Sequence, residues 1–273
     1  MIRYKIIAFL SLIFSCNTLA QTLDYSGPIS SSLAYMKVFD DSPWAALSNA
    51  ANLAYSENLA TGIGYQMRFN MSELSSRTGV MVLPSSYGTF AGLIYQSGYS
   101  KSNYNRYALS YSRAFGNKIS AGLQFNYLTH QIEGADRADA FYTSLGIGYY
   151  ISESFELGVF IQNPEQSKMN YGGYDYSLLT YFNTAVKYTA TDNVLIIAEL
   201  EKEQEQTLVF KTGCQIDFNN RLAVRAGIKG QPLELTVGGG FKHSGLTIDV
   251  GFAHHPQLGL TSGAGLYYSF NRK

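Results

Sequence analysis

The chain has 273 residues, and its 20 Lys and Arg balance 20 Asp and Glu, so its formal net charge is zero. Neutrality without a basic run argues against nucleic-acid binding, which needs a clustered positive surface. Two Cys are too few for a disulfide scaffold or a Cys-based zinc site. A mean hydropathy of −0.07 is too polar for a bundle of apolar membrane helices. The low charged fraction of 15%, the 22 Tyr and the 26 Gly favour an outer-membrane barrel over a soluble β-protein.

The first 20 residues predict a secretory signal peptide. Arg3 and Lys5 precede an apolar run over 6–14, and residues 18–20 form a small-x-small cleavage site before Gln21. The alternative is a lipoprotein signal with Cys16 as the acylated residue, which the bulky Phe14 before it disfavours. Cleavage at Ala20 removes Cys16, so no intramolecular disulfide is then possible.

Residues 59–273 predict a series of β-strands. Apolar and polar residues alternate in segments of a length that crosses a membrane as a tilted strand, most clearly from Ile119 to Tyr127. The predicted strands are 60–69, 77–83, 88–96, 104–115, 118–130, 138–151, 154–163, 178–189, 193–202, 207–218, 221–229, 233–242, 245–254 and 261–270.

The connections between these strands indicate a membrane barrel, since alternation alone is also found in soluble sandwiches. Every second connection is tight, as at Gly116-Asn117, and most of the others are longer, as at 97–103 and 164–177. Short periplasmic turns opposite longer outer loops are typical of outer-membrane barrels. The sequence therefore predicts an all-β fold, an up-and-down antiparallel transmembrane barrel of about 14 strands. It would lie in the outer membrane of a Gram-negative bacterium, with membrane lipid around it.

The last predicted strand carries a candidate assembly signal. Gly265 is followed by the aromatic residues Tyr268 and Phe270 close to the end of the sequence. This pattern resembles the terminal-strand signal that the barrel assembly machinery reads, and the alternative is an ordinary last strand of a soluble sheet.

Two further passages resemble a known family. Residues 40–54 read DDSPWAALSNAANLA, and 254–261 read HHPQLGLT. They are similar to the N-terminal motif and the last-strand passage of the PorV/PorQ family, relatives of the FadL fatty-acid transporters. Ala50 and Asn52 stand where that motif has Pro and Gly. The positions that define the plug motif here are Pro43, Trp44, Asn49, Ala51, Leu53 and Ala54.

The resemblance implies a plug and two alternative roles. FadL relatives pass hydrophobic small molecules through a barrel that an N-terminal plug closes, whereas PorV-type relatives receive exported proteins in type IX secretion. Residues 44–54 predict a short helix with Ser42 as N-cap and Pro43 as its first residue. A short helix needs a surface to pack on. We therefore expect residues 21–58 to form a plug inside the lumen, with a periplasmic helix under the barrel as the alternative.

The strand alternation also predicts which charges face the lumen. They carry both signs, so we expect mutual pairing, with a polar permeation path or gating contacts with the plug as the alternative. The predicted lumen charges are Glu199, Glu201, Lys211, Asp217, Arg221, Arg225, Lys229, Glu234, Lys242 and Asp249.

No catalytic, cofactor or metal site is predicted. His254 and His255 are neighbours in a strand and so point to opposite faces, and no G-x-S-x-G nucleophile elbow exists. The prediction is a non-catalytic barrel of the PorV/PorQ–FadL type that binds or passes hydrophobic small molecules. The alternative is an accessory barrel of type IX secretion that docks exported proteins. An apolar pocket between plug and wall would favour the first role, and a sealed lumen with an exposed docking face would favour the second.

Overall fold

The computed structural model describes residues 25–270. The predicted signal peptide, its cleavage site and Cys16 therefore lie outside the described residues. Within the described range, no helix is both long and apolar enough to cross a membrane.

Fourteen strands form a closed antiparallel barrel, and two further strands form a separate hairpin. The strands in chain order are β1 Leu59–Met67, β2 Ser75–Ser85, β3 Gly88–Tyr99, β4 Ser102–Phe115, β5 Ile119–Ile132, β6 Ala138–Tyr150, β7 Phe155–Gln162, β8 Lys168–Tyr171, β9 Tyr174–Ser177, β10 Tyr181–Thr191, β11 Val194–Glu203, β12 Val209–Phe218, β13 Leu222–Lys229, β14 Glu234–His243, β15 Leu246–His255 and β16 Gly259–Phe270. Each barrel strand pairs with its sequence neighbours, except that β7 pairs with β10 past the β8–β9 hairpin. Strand β1 pairs with β16 and closes the barrel. The predicted fold class and strand count are confirmed.

The outer surface of the barrel is apolar, and the inward positions alternate with it. The side chains of Leu109 and Phe141 are 71% and 70% exposed, whereas the preceding residues Ala108 and Ala140 are buried. An apolar outward band around a closed sheet is what a lipid environment requires, because closure leaves no strand edge unpaired.

The two ends of the barrel differ less than the sequence suggests. We call the end with residues 163–180 the loop end, and the opposite end the turn end. The predicted long loop over 97–103 is wrong, since β3 and β4 pair up to Tyr99 and Ser102 and leave a turn of Ser100 and Lys101. At this end β3 and β4 extend beyond the apolar band. Their last residues are polar, and for that reason the sequence there resembles a loop.

Cys214 tests the inward and outward assignment of the strands. It pairs across the sheet with Ile196 and Ala226, which are outward residues, so its thiol faces lipid. We expect a membrane-impermeant thiol reagent to leave Cys214 unlabelled in native membranes and to label it after unfolding. A Cys214→Ser/Gln206→Cys variant, with its thiol in an exposed connection at the loop end, should react at once. Rapid labelling of native Cys214 would contradict the assignment.

Candidate functional site

Residues 25–58 lie inside the barrel and are called the plug below. Helix α1, Pro28–Ser32, packs against β13 to β16 and β1. The 3-10 helix Pro43–Leu47 packs against β1 to β3, and the 3-10 helix Ala50–Tyr55 packs against β3 to β6. The plug therefore touches much of the inner wall, and it leaves the barrel at the turn end, where β1 begins.

The helix predicted over residues 44–54 is two 3-10 helices separated at Ser48. Ser42 is the N-cap as expected, because its Oγ accepts a hydrogen bond from Trp44 N at 3.2 Å. Asn49 then caps the second helix by accepting from Ala51 N at 3.0 Å. Short polar side chains that bond the backbone in this way favour caps and turns over the interior of a helix. Asn49 therefore begins a second helix where one continuous helix was predicted.

Trp44 is the apolar anchor of the plug. Its side chain is fully buried and meets the ring of Tyr267 edge-on, with ring centroids 6.2 Å apart. It belongs to a cluster that joins Leu47 and Leu53 of the plug to Val80 and Leu93 of the wall. Burial of such side chains contributes roughly 1.5–3 kcal/mol each.

Glycines on the inner wall make room for the plug. A Cβ added at Gly265 would lie 2.7 Å from Trp44 Cζ2, and one added at Gly227 would lie 2.6 Å from Ala34 N. Both distances are shorter than ordinary carbon contacts. The wall glycines in close contact with the plug are Gly62, Gly64, Gly122, Gly146, Gly158, Gly213, Gly227, Gly238, Gly251 and Gly265. At these positions the plug therefore approaches the wall more closely than a wall side chain would allow.

Glu199 holds the plug at the centre of the lumen. Its Oε2 accepts hydrogen bonds from the backbone N–H groups of Lys37 at 2.9 Å and Val38 at 3.0 Å. Lys211 Nζ donates to Tyr35 O at 2.9 Å and pairs with Glu199 at 3.5 Å. We call this set, with Glu201, the Glu199 latch.

Glu201 balances the charge of the latch. Its Oε2 lies 2.9 Å from the Nζ atoms of both Lys37 and Lys211, and Asn183 donates to Glu201 and to Glu199. Two cations thus face two carboxylates, with the plug on one side and the wall on the other. Buried charges are tolerated only when paired and hydrogen-bonded in this manner.

Charged and neutral wall side chains bond the plug backbone elsewhere. Arg106 donates to Leu47 O at 3.0 Å, and Gln124 donates to Ala46 O at 2.7 Å. Thr236 Oγ1 donates to Ser32 O at 3.0 Å and accepts from Ala34 N at 2.9 Å. These bonds satisfy backbone groups that the short helices leave unpaired.

A second set of ion pairs lies nearer the turn end. Lys187 Nζ is 2.6 Å from Glu156 and 3.2 Å from Asp41, which belongs to the plug. Arg225 pairs with Asp249 at 2.8 Å on the wall.

Most of the predicted lumen charges do point inward. Glu199, Glu201, Lys211, Arg225, Glu234 and Asp249 are buried. Lys229 pairs with Glu234 at 3.0 Å at the loop end, and half-buried Asp217 accepts from Gln215. Arg221, in the turn before β13, and Lys242 are exposed at the turn end, so their place in the lumen stays a prediction.

The sequence reasoning missed the charges of the earlier strands and of the plug. Arg106, Glu156 and Lys187 occupy inward positions that the same alternation would have shown on β4, β7 and β10. Lys37 had no such signal, because the plug has no strand period.

Two cavities remain around the plug. The larger, about 420 Å³, opens at the loop end and has Tyr35 as its floor. Its lining is mixed, with Phe69, Tyr181 and Leu258 beside Glu201 and Lys229. We call it the mouth cavity. The smaller, about 170 Å³, lies near the turn end beside Asp40 and Arg225. Both cavities have mixed linings, so neither is the apolar pocket between plug and wall that would favour passage of hydrophobic molecules.

The β8–β9 hairpin covers part of the loop end. Met169 is buried against Leu128, Tyr142 and Leu178. The hydroxyl of Tyr171 is hydrogen-bonded to His130 Nδ1, and the His130 ring stacks on Tyr104 with centroids 3.7 Å apart.

The remaining predicted positions lie apart from the lumen contacts. Tyr268 and Phe270 are outward on β16 and meet edge-on at 4.8 Å, so their assembly role stays a prediction. Across residues 25–270, no three His, Cys, Asp or Glu side chains are grouped in a way that could hold a metal ion.

Asp40 is the carboxyl group of the plug whose pKa shifts toward the neutral form. Its Oδ1 accepts from Ser42 N at 2.9 Å and from Ser42 Oγ at 2.5 Å, whereas the buried Oδ2 has no hydrogen-bond partner. Burial raises the pKa of Asp40 to about 7, and the bonds from Ser42 only partly oppose this. Asp40 belongs to the plug and not to a membrane-spanning strand.

Comparisons with solved structures identify barrels of the same fold. The toluene transporter TbuX of Ralstonia pickettii matches with a TM-score of 0.71 at 12% identity, over 91% of this chain and 99% of that one. The toluene transporter TodX of Pseudomonas putida matches at 0.65 and 12%, over 90% and 98%. A FadL homologue of Pseudomonas aeruginosa matches at 0.66 and 10%, over 90% and 98%. No protein-family model and no curated protein sequence matches the chain. At these identities the likeness establishes a FadL-like barrel fold, and it does not distinguish the PorV/PorQ branch.

The Glu199 latch predicts how strongly the wall holds the plug. Glu199→Gln removes one of two buried carboxylates and leaves Lys37 and Lys211 with one negative partner between them. We expect it to weaken docking of the plug by roughly 2–4 kcal/mol. In planar bilayers this should appear as frequent openings of a nearly silent barrel. Asp217→Asn is the matched control, because Asp217 contacts Gln215 and not the plug. A silent Glu199→Gln barrel would contradict the latch.

Asp40 predicts a pH dependence of plug docking. Its pKa is higher in the docked plug than the ordinary value of 3.8, so the docked state binds the proton more tightly. Stability of docking is then greatest below about pH 4 and falls as the pH rises towards 7. Acrylamide quenching of Trp44, the only Trp, should increase over that range. Asp40→Asn should remove the increase, and an unchanged pH profile in this variant would contradict the assignment.

Proposed function

We propose that this chain is a non-catalytic outer-membrane transporter that passes small hydrophobic molecules, with its plug closing the lumen between transport events. The observation that carries the proposal is the architecture itself. A fourteen-strand barrel is filled by its own N-terminal segment, and the same barrel fold occurs in proteins described as toluene transporters. The lipid around the barrel and the barrel assembly machinery are its proposed partners.

The mouth cavity is the proposed site of entrance. Its volume of about 420 Å³ falls within the usual range for small-molecule pockets, roughly 300–1,000 Å³. Tyr35, Phe69, Tyr181 and Leu258 supply aromatic and aliphatic contacts for a single-ring molecule. The floor belongs to the plug, so a molecule bound here touches the element that must move for passage.

The lumen below this cavity is filled, so passage requires a shift of the plug. The contacts that hold residues 35–38 are hydrogen bonds and ion pairs, which water can replace when they separate. A role in type IX secretion stays the alternative. The filled lumen is the feature that favours it, but two of the structural neighbours named above are described as toluene transporters and none of the three supports it.

The direct test is uptake of a hydrocarbon by intact Gram-negative cells that express the protein. We expect the initial accumulation of labelled toluene to rise several-fold above vector controls. Thr207→Trp, which places a bulky ring in the mouth cavity, should reduce the rise, whereas Asn117→Trp at a turn-end connection should not. Entrance of a hydrophilic solute should be unchanged. No rise with toluene would contradict the proposal, and an equal rise with the hydrophilic solute would indicate an open porin.

We expect removal of the plug to increase the conductance of the barrel. Fourteen strands enclose a wider space than the eight whose side chains alone fill a barrel, so the empty lumen should conduct water and ions. Deleting residues 25–56 should turn a nearly silent protein into a steadily conducting pore in planar bilayers. Heat-modifiable mobility on an unboiled gel verifies that the barrel is folded. Steady conductance of the intact protein, unchanged by the deletion, would contradict a closing plug.

A further inference from the structure

A groove crosses the lipid-facing surface of strands β1 to β6. Its volume is about 650 Å³, and its walls are the apolar side chains of Ile63, Met81, Ile94, Leu109, Phe125 and Phe141. No charged residue lines it. The groove lies on the outside of the barrel, and the plug is on the other side of the sheet.

Two outward glycines create the groove. Gly79 on β2 pairs with Ile94, and Gly92 on β3 pairs with Met81, so the two glycines are diagonal neighbours on one face. A Cβ at Gly79 would meet nothing within 4 Å, and one at Gly92 would only reach Leu109 Cδ2 at 4.0 Å. The plug therefore does not require these glycines, unlike those of the inner wall. Glycine weakens a strand interior, so an open notch here needs a different explanation.

Arg77 lies on the same face directly above the groove. It precedes Gly79 by two residues, about 7 Å along β2 towards the loop end, and it pairs across the sheet with Tyr65 and Gln96. Its side chain is exposed, and the structure gives it no ion pair within the described part of the chain. This guanidinium, which has no ion pair among residues 25–270, thus lies two residues along β2 from the groove, in a surface depression that Glu73 and Gln96 also line.

We propose that this groove binds one acyl chain of an anionic membrane lipid, and that Arg77 binds the phosphate of the same lipid. A guanidinium presents paired donors that match a phosphate, and the depth of lipid headgroups is where such a charge is stable. The groove supplies a lipid chain with more apolar contact than a smooth barrel surface offers. The site lies outside the lumen and does not depend on the proposed transport.

The test is retention of lipid by the folded, detergent-solubilised protein, measured by native mass spectrometry. The probes are phosphatidylglycerol, which is anionic, and phosphatidylcholine, which is zwitterionic. We expect the protein to retain one phosphatidylglycerol molecule under conditions that remove phosphatidylcholine. Arg77→Gln should weaken this retention about tenfold. Gly79→Leu, which fills the groove, should weaken it to a similar extent.

Two control variants separate a site from general lipid coating. Arg113→Gln removes a different exposed Arg, on β4 near the turn end, and Ala121→Leu places a Leu side chain on β5 outside the groove. Both should retain the lipid as the unaltered protein does, and all variants should show heat-modifiable mobility. Unchanged retention in Arg77→Gln or Gly79→Leu would overturn the proposal, as would equal losses in the controls. Equal retention of phosphatidylcholine, or displacement of the lipid by glycerol phosphate alone, would overturn it as well.

Discussion

The width of the lumen is the constraint on which the other features depend. Fourteen strands enclose more space than inward side chains can fill, and this chain fills it with its own backbone. Backbone is bulky and polar, so the wall has glycines where the plug backbone approaches it, as at Gly122 and Gly227. The inner wall is therefore complementary in shape to the plug, and the two pack together as one core.

The polar residues of the lumen follow from the same constraint. The plug has only short helices, so many of its N–H and C=O groups have no partner within the plug itself. An unpaired buried group is costly, and the wall supplies partners such as Gln124 for Ala46 and Glu199 for Lys37 and Val38. Most of the cations that contact the plug are paired with carboxylates, as Lys37 and Lys211 are with Glu201, whereas Arg106 bonds Leu47 O and lies over the ring of Tyr95.

The strands could be predicted from the sequence because their alternation repeats, whereas contacts between residues far apart in the chain could not. All fourteen barrel strands were located because each has an outward apolar face with a period of two. Segments with no such face were harder to predict. The short turn at Ser100 and Lys101 was predicted as part of a long loop, and the β8–β9 hairpin was predicted as loop. The bond between Lys37 and Glu199 joins residues 162 positions apart, so no local pattern could show it. The type of helix in the plug was likewise decided by caps and by the shape of the wall.

The plug has two parts that are held in different ways, and this determines how the lumen could open. Around Trp44 the contacts are apolar and enclosed, and separation there would expose large aromatic surface. Around Tyr35 to Val38 the apolar contacts of Met36 are accompanied by the Glu199 latch, whose bonds water can replace. The second part also forms the floor of the mouth cavity. A local shift of this part therefore costs less than expulsion of the whole plug. In the proposed transport, this shift would begin at the surface that an entering molecule touches, so ligand contact and opening would be coupled without unfolding of the Trp44 cluster.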